Sequence, residues 1–511
     1  MDETAPAMLS MPAELLHRVF ENLGKQDVLS MRAICTTLAE FGKEYVLRSI
    51  VAIYKRDSFE RVLEASKHPY FSQRIKTLHF QADKFDEKLS YRKWKELVQK
   101  HLNGQKHIQA MDAYMDQHSD GPWDEEKLQA MTIAMKNDMP LLNDTLPRKE
   151  LAASFDAYCK FLDDQDAMDE ENLATDCLTQ LFERCPELVE VTFKTGPGQT
   201  THYELVKRAF RECRESPHVD DPAREGVDQW IRLIDALSVS KKALKSLTVC
   251  PASFNIVNGL HSRSTMMGIM STLDTLKLGI DCFFDDNADD EEEFFEVEEA
   301  ARELIEEGEL VHWLSAAKGL CMLKLRMPAF DLSESIWTNL SWVVGDTAWD
   351  HLTELSISTV ETIEDVLVEL LLRHKTTLRR LCLSYIDLCT TGGWNSVFTR
   401  LSGNLPELRR IALPGPFKQY GETIYHFSTL SSEGEKIDAL RDHIEDRLLN
   451  GGKLHFPFSE DEAAEYDAML RDGHDGKLCS EVPGYSPPRK NGFHEGEDHD
   501  DEEIEDEFDY E

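Results

Sequence analysis

Five basic side chains recur at alternate places around one repeated hexamer. They are Lys277 in LDTLKL, Lys324 in LCMLKL with Arg326 just beyond it, Arg380 in LRRLCL and Arg410 in LRRIAL. A guanidinium grips carboxylate or phosphoryl oxygens through paired N–H donors, and an ammonium attracts them as a point charge. On a chain of formal charge −40, such cations on one surface predict a site for an acidic or phosphorylated segment of an unknown protein substrate. Two other roles fit the same residues. They could hold the chain's own acidic C-terminal run, or pair with Asp and Glu on adjoining repeats.

Catalytic chemistry finds no comparable constellation. The sequence contains no G-x-x-x-x-G-K-[ST] phosphate loop, no H-E-x-x-H, no G-x-S-x-G and no G-x-G-x-x-G. The GGK at 451–453 lacks the upstream glycine and the following hydroxyl. His494 and His499 sit in an acidic run, where a solvated tail explains them better than a cation site. The 11 cysteines are scattered singly with no C-x-x-C pair, so they predict small core residues in a reducing compartment and neither a zinc site nor a dithiol. No catalytic residue, metal or cofactor is expected, and the chain is expected not to be an enzyme.

Charge removes further classes. At −40 the chain lacks the basic surface that phosphate backbones require, so nucleic acid is not an expected partner. No run approaches 18 uninterrupted apolar residues and the N-terminus opens with acids, so neither a membrane span nor a secretory signal is expected. Cytoplasm and/or nucleus is the expected location. The acidic runs 285–299 and 495–511 predict solvated segments, the first a loop and the second a disordered tail.

The elements that would carry the basic residues follow an L-x-x-L-x-L pattern with eight copies: IKTLHF, LVEVTF, LKSLTV, LDTLKL, LCMLKL, LTELSI, LRRLCL and LRRIAL. From Leu247 onward their fourth positions lie 29, 47, 32, 26 and 30 residues apart, the spacing of leucine-rich repeats with one insertion. Helical patterns intervene, as in ETIEDVLVELLLRHKTT, where Ile363, Leu367, Leu370 and Leu371 would share a face. A strand–helix unit cannot bury its own apolar face, so the units should stack into a curved parallel sheet with outer helices. Outward strand residues, Glu354, Ser356 and Cys382 among them, would line its concave side.

The remaining segment is MPAELLHRVFENLGKQDVLSMRAICTTLAEFG, beginning at Met11. Pro12 suits a first turn, Leu15, Leu16, Val19, Phe20 and Leu23 form an apolar stripe, and Gly24 ends the helix. Asp27 can cap a second helix carrying Val28, Leu29, Arg32 and Cys35, with Leu38 and Phe41 on a third. Three such helices are too few to enclose a self-sufficient core, so their apolar faces need a partner.

Pro-x-Glu-Leu, an aliphatic–Phe pair, Leu, Asp-Val-Leu, Arg and Ile-Cys, in that order, resemble an F-box, over about a tenth of the chain. An N-terminal position ahead of leucine-rich repeats is similar to fungal members of that family. Met11 stands where the family usually has Leu, and Leu38 where many members have Trp. The resemblance implies docking to a Skp-type adaptor and, through it, a cullin ubiquitin ligase. Carried over by position, Pro12, Leu15, Leu16, Val19, Phe20, Leu23, Val28, Leu29, Arg32 and Cys35 would form the adaptor-binding face, partly by packing the helices together.

The expected fold is therefore α/β: a three-helix F-box-like module (8–50), a first strand and connector (51–83), a helical insertion (84–185), a leucine-rich-repeat-like solenoid (186–420), a capping helix region (421–480) and the acidic tail (481–511). The expected function is the substrate-recognition subunit of an SCF-type ligase. The alternative is a leucine-rich-repeat scaffold with no ligase role.

Overall fold

Alternation within each hexamer sends the leucines to one side of a strand, where the next helix covers them. A computed structural model of the chain describes residues 11–85, 88–99, 147–195, 208–213, 226–258, 262–281, 291–328, 338–389, 393–414, 416–419, 423–426 and 448–449. Its strands are β1 (Ser49–Ile53), β2 (Thr77–Gln81), β3 (Glu190–Lys194), β4 (Ser246–Ser253), β5 (Thr275–Asp281), β6 (Met322–Arg326), β7 (Thr338–Asn339), β8 (Glu354–Thr362), β9 (Arg380–Leu388), β10 (Arg410–Ala412), β11 (Pro416–Gln419) and β12 (Thr423–His426).

From β1 to β6, then β8 and β9, spatial order follows chain order, and every pairing among these strands is parallel. β10 and β11 both pair with β9, β7 pairs with β8, and β12 lies antiparallel to β11.

One continuous core lies behind this sheet. It holds Leu78 and Phe80, Val191 and Phe193, Leu247 and Val249, Leu276 and Leu278, Leu323 and Leu325, Leu355 and Ile357, and Leu381 and Leu383. Against them pack helices Arg56–Lys67, Leu173–Arg184, Val227–Ser240, Arg263–Met270, Glu309–Ala316, Leu340–Val344, Glu364–Arg373 and Gly393–Leu401, each touching the next along the row. All eight hexamers thus form strands of one α/β array. β1 joins them through LRSIVA, whose last apolar position is the small Ala52, paired with the large Phe80 of β2.

Several expectations change. The run 285–299 is helical from Glu291 onward, within Glu291–Glu306, and Val297 packs against the main core. Val297, Ala301, Leu304 and Ile305 repeat at helical spacing, so one apolar stripe prevails over the charge around it; residues 285–290 lie outside the described residues. Ile363 does not join the buried face of its helix. It precedes the first turn and is exposed, whereas Leu367, Leu370 and Leu371 are buried. Cys177, Cys185 and Cys213 are buried thiols as expected, but Cys321 and Cys389 are exposed. The capping box at Ser432 and Glu435 and the tail lie outside the described residues, while Leu448 sits in the main core.

The long helix Arg148–Glu170 builds a second apolar cluster at the first strand. Ile50 and Ala52 of β1 face the main core, and the intervening Val51 and Ile53 face Trp94, Phe155, Tyr158, Phe161 and Phe210. Polar contacts fasten this layer. Arg56 Nε donates to Asp164 at 2.7 Å, Lys84 to Asp169 at 2.6 Å, and the Tyr54 hydroxyl also donates to Asp169. Burial and the neighbouring Asp169 push the Tyr54 phenol upward, so it stays protonated.

The N-terminal helices are α1 (Ala13–Glu21), α2 (Lys25–Arg32) and α3 (Thr36–Gly42). Asp27 lies inside the first turn of α2 and does not cap it, because Gly24 occupies the cap position.

Candidate functional site

Two surfaces collect the residues of interest: the open face of the sheet, opposite the helices, and the exterior of α1–α3.

Register assembles the open face into rows. One row runs Thr192, Thr248, Lys277, Lys324, Ser356, Cys382 and Ala412 from β3 to β10. A second runs Thr275, Met322, Glu354, Arg380 and Arg410, and a third has Gly279, Arg326, Ser358 and Ser384. All five expected basic residues therefore share this face, on four strands. Lys277 lies directly opposite Lys324, and Arg380 opposite Arg410. Like charges at facing positions oppose pairing, so counter-charge must come from elsewhere.

Part of it comes from the sheet. Glu354, whose side chain is only 12% exposed, sits between Lys324 (Nζ–Oε1 2.9 Å) and Arg380 (Nε–Oε2 3.0 Å). Arg326 reaches Asp281 at 3.0 Å. Pairing on adjoining repeats thus accounts for three of the five. Lys277 and Arg410 have no ion-pair partner among the described residues. Glu354 stands at an outward position in LTELSI, but its bridging role depends on strand register.

Thiols on or beside this face are poor nucleophiles. Burial pushes Cys382 up, against the opposing pull of Ser356 and Lys324, and burial likewise raises Cys250. Cys389 is exposed as a residue, but partial desolvation of its thiol beside Glu361 and Asp387 pushes it up to about 12. Gly279 leaves room for Cys250, since a Cβ there would collide with its Sγ. Among the described residues, no cluster of three or more His, Cys, Asp or Glu could hold a metal ion, and no helix is long and apolar enough to cross a membrane.

On the N-terminal module the ten expected residues divide. Leu16, Phe20 and Val28 are buried with Leu38 in a small core of their own, with Leu23 and Cys35 packed against it. They hold the helices together, the part of the expected face that works through packing, and Leu23 and Cys35 stay partly exposed. Arg32 also works internally: its Nε donates to the Ala39 carbonyl at 3.3 Å, and a Cβ at Gly42 would collide with its side chain. Pro12, Leu15 and Leu29 are exposed, and Val19 is half-buried. Ile34, 67% exposed, is a further outward apolar residue; it follows α2 and so escapes a search by helical periodicity.

Tyr45, between α3 and β1, packs back onto the module. It stacks on Phe20 at 5.7 Å, its hydroxyl meets His17 Nδ1 at 2.8 Å, and the Arg48 guanidinium lies 4.0 Å from its ring centroid.

No protein-family model matches the chain, and no curated protein matches it. Among solved structures it is similar to the leucine-rich repeat-containing protein LegL7 from Legionella pneumophila, at 12% identity over 55% of this chain and 78% of that one, with a TM-score of 0.23. From its own strand order and register, the chain is an α/β protein whose parallel sheet and outer helices have a leucine-rich-repeat-like layout.

Proposed function

We propose that this chain is a non-catalytic substrate receptor of an SCF-type ubiquitin ligase. Its N-terminal module docks a Skp-type adaptor and thereby a cullin. The open face of the sheet holds an acidic or phosphorylated protein segment, in the cytoplasm and/or nucleus, with no cofactor. One observation supports the docking half above the others. Six large apolar side chains are exposed among the described residues, and three of them, Leu15, Leu29 and Ile34, belong to this one small module. A helical module that keeps its own core closed and still exposes leucine and isoleucine suits a partner with an apolar groove. The F-box resemblance names that partner.

The test is co-purification with the adaptor. Leu15→Asp with Leu29→Asp changes exposed positions and spares the module core, so stability should shift by no more than about 0.5 kcal/mol. Adaptor affinity should fall by about 30-fold or more, since removing an apolar anchor at an interface centre costs about 2 kcal/mol. Undiminished co-purification of that variant would sink the docking half. A repeat scaffold without a ligase role is the second reading, favoured by the closed core of Leu16, Phe20, Val28 and Leu38. It stands if the unaltered chain never captures the adaptor.

A further inference from the structure

The last two repeat strands begin with two consecutive arginine pairs, Arg379–Arg380 and Arg409–Arg410. Register sets Arg410 opposite Arg380, and the amides of Arg409 and Arg410 both donate to the Arg379 carbonyl, at 2.9 and 3.1 Å. All four side chains are exposed; Arg380 and Arg410 lie on the open face, and Arg379 and Arg409 immediately precede them at its edge. Only Arg380 has an ion-pair partner among the described residues, and that partner, Glu354, is shared with Lys324. Four cations on two neighbouring strands repel one another unless an outside anion joins them.

The densest counter-charge in the sequence is the run 495–511, with 12 Asp or Glu and no Lys or Arg. The run follows Leu449, which packs on the main core, in the same chain, so its binding to that sheet is intramolecular.

We propose that residues 495–511 bind the arginine corner formed by Arg379, Arg380, Arg409 and Arg410, so that the chain covers one end of its own open face. This rests on the reading that the face accepts acidic segments, and it is independent of adaptor docking. Guanidinium groups in pairs suit successive carboxylates, and a mobile ligand reaches the remainder of the face only by displacing the run. A substrate would then need more negative charge, or better-placed phosphoryl groups, than the chain's own segment.

The test uses the full-length chain and a full-length variant in which the 12 acids of 495–511 become Asn or Gln. Arginine modification by phenylglyoxal is followed at each site by mass spectrometry. Arg379, Arg409 and Arg410 should react several-fold faster in the neutralised variant. In the unaltered chain they should gain the same reactivity near 1 M salt, where the Debye length is about 3 Å. A labelled peptide of sequence 495–511 should bind the neutralised variant at least tenfold tighter than the unaltered chain. That binding should disappear in the variant that also carries Arg379→Gln, Arg409→Gln and Arg410→Gln.

Equal modification rates in both chains at low salt overturn self-occupancy. If the peptide nonetheless binds both chains equally, the face takes acidic segments but not its own, and only this proposal falls. If it binds neither chain, the acidic-ligand reading falls with it.

Discussion

The N-terminal module and the repeat sheet solve the same burial problem at different scales, with opposite surfaces. Four residues, Leu16, Phe20, Val28 and Leu38, centre the module's core, whereas the sheet's core runs unbroken from Ile50 to Leu448. With so little interior, the module leaves Leu15, Leu29 and Ile34 exposed; the sheet shows basic and hydroxyl rows on its open side. Apolar exposure selects a partner by shape and burial, and charge selects one by electrostatics. The two surfaces therefore suit two partners of different chemistry.

Independence of the two cores is the first point to break. Phe20→Ala should cost about 3–5 kcal/mol locally, more than so small a core can spare. Hydrogen exchange over residues 13–42 should become rapid while the sheet's main melting transition stays in place. A matching drop in that transition would show that the module and sheet unfold together.

Leu355→Ala is the reciprocal change, in the middle of the sheet, where Leu355 is wholly buried. It should cost about 2–5 kcal/mol. Lost protection should spread to β6 and β9, because stacked repeats lean on their neighbours. Faster exchange in α1–α3 would count against separate cores.

A smaller effect sharpens the charge side of the comparison. Glu354→Gln removes the carboxylate shared by Lys324 and Arg380. Both cations are substantially solvated, so the stability change should be about 1 kcal/mol or less. Affinity of the open face for acidic peptides should rise, because two competitors for the same cations become one. A fall in that affinity would mean Glu354 positions the cations and does not compete for them.

A pH slope gives the last test. His374 is buried and stacked on Trp349, with ring centroids 5.4 Å apart. Burial, then the adjacent Arg373, lowers it to about 4 from an ordinary 6.5, against the opposing pull of Asp350. The unfolded chain binds that proton first as pH falls, so this contribution is full above about 6.5 and is lost progressively toward 4. His374→Phe should flatten the decline of the melting temperature across that window. An unchanged slope would assign the decline to other groups.

Much of the sheet was legible because alternation and repeat spacing are local properties of a strand–helix unit. Leu276, Leu323, Leu355, Leu381 and Ile411 identify their strands without neighbours. β1 was harder to read because Ala52 fills the last apolar position, and its fit depends on Phe80 across the ladder. The helix through Val297 hid behind a run of carboxylates. For the candidate sites, alternation was enough to place Lys277, Lys324, Arg326, Arg380 and Arg410 on one face. It could not show that Glu354 would join two of them, since that follows from pairing between strands. In α1–α3 the apolar stripe is broad, and only packing decides that Leu16 and Phe20 turn inward while Leu15 turns out.

Strand order that follows chain order has a consequence for synthesis. Each strand from β2 to β6 can join an edge that has already left the ribosome, with its covering helix made just beforehand. Growth of this kind closes only short loops at each step, which favours rapid docking. The separation between β2 and β3 is the exception. There the growing edge must wait for more than a hundred residues, and the β3-facing edge of β2 stays unpaired for that interval, although helix Arg56–Lys67 already covers Phe80 through Phe59. Chaperone capture should therefore concentrate at one stage of translation, when ribosomes stand between β2 and β3.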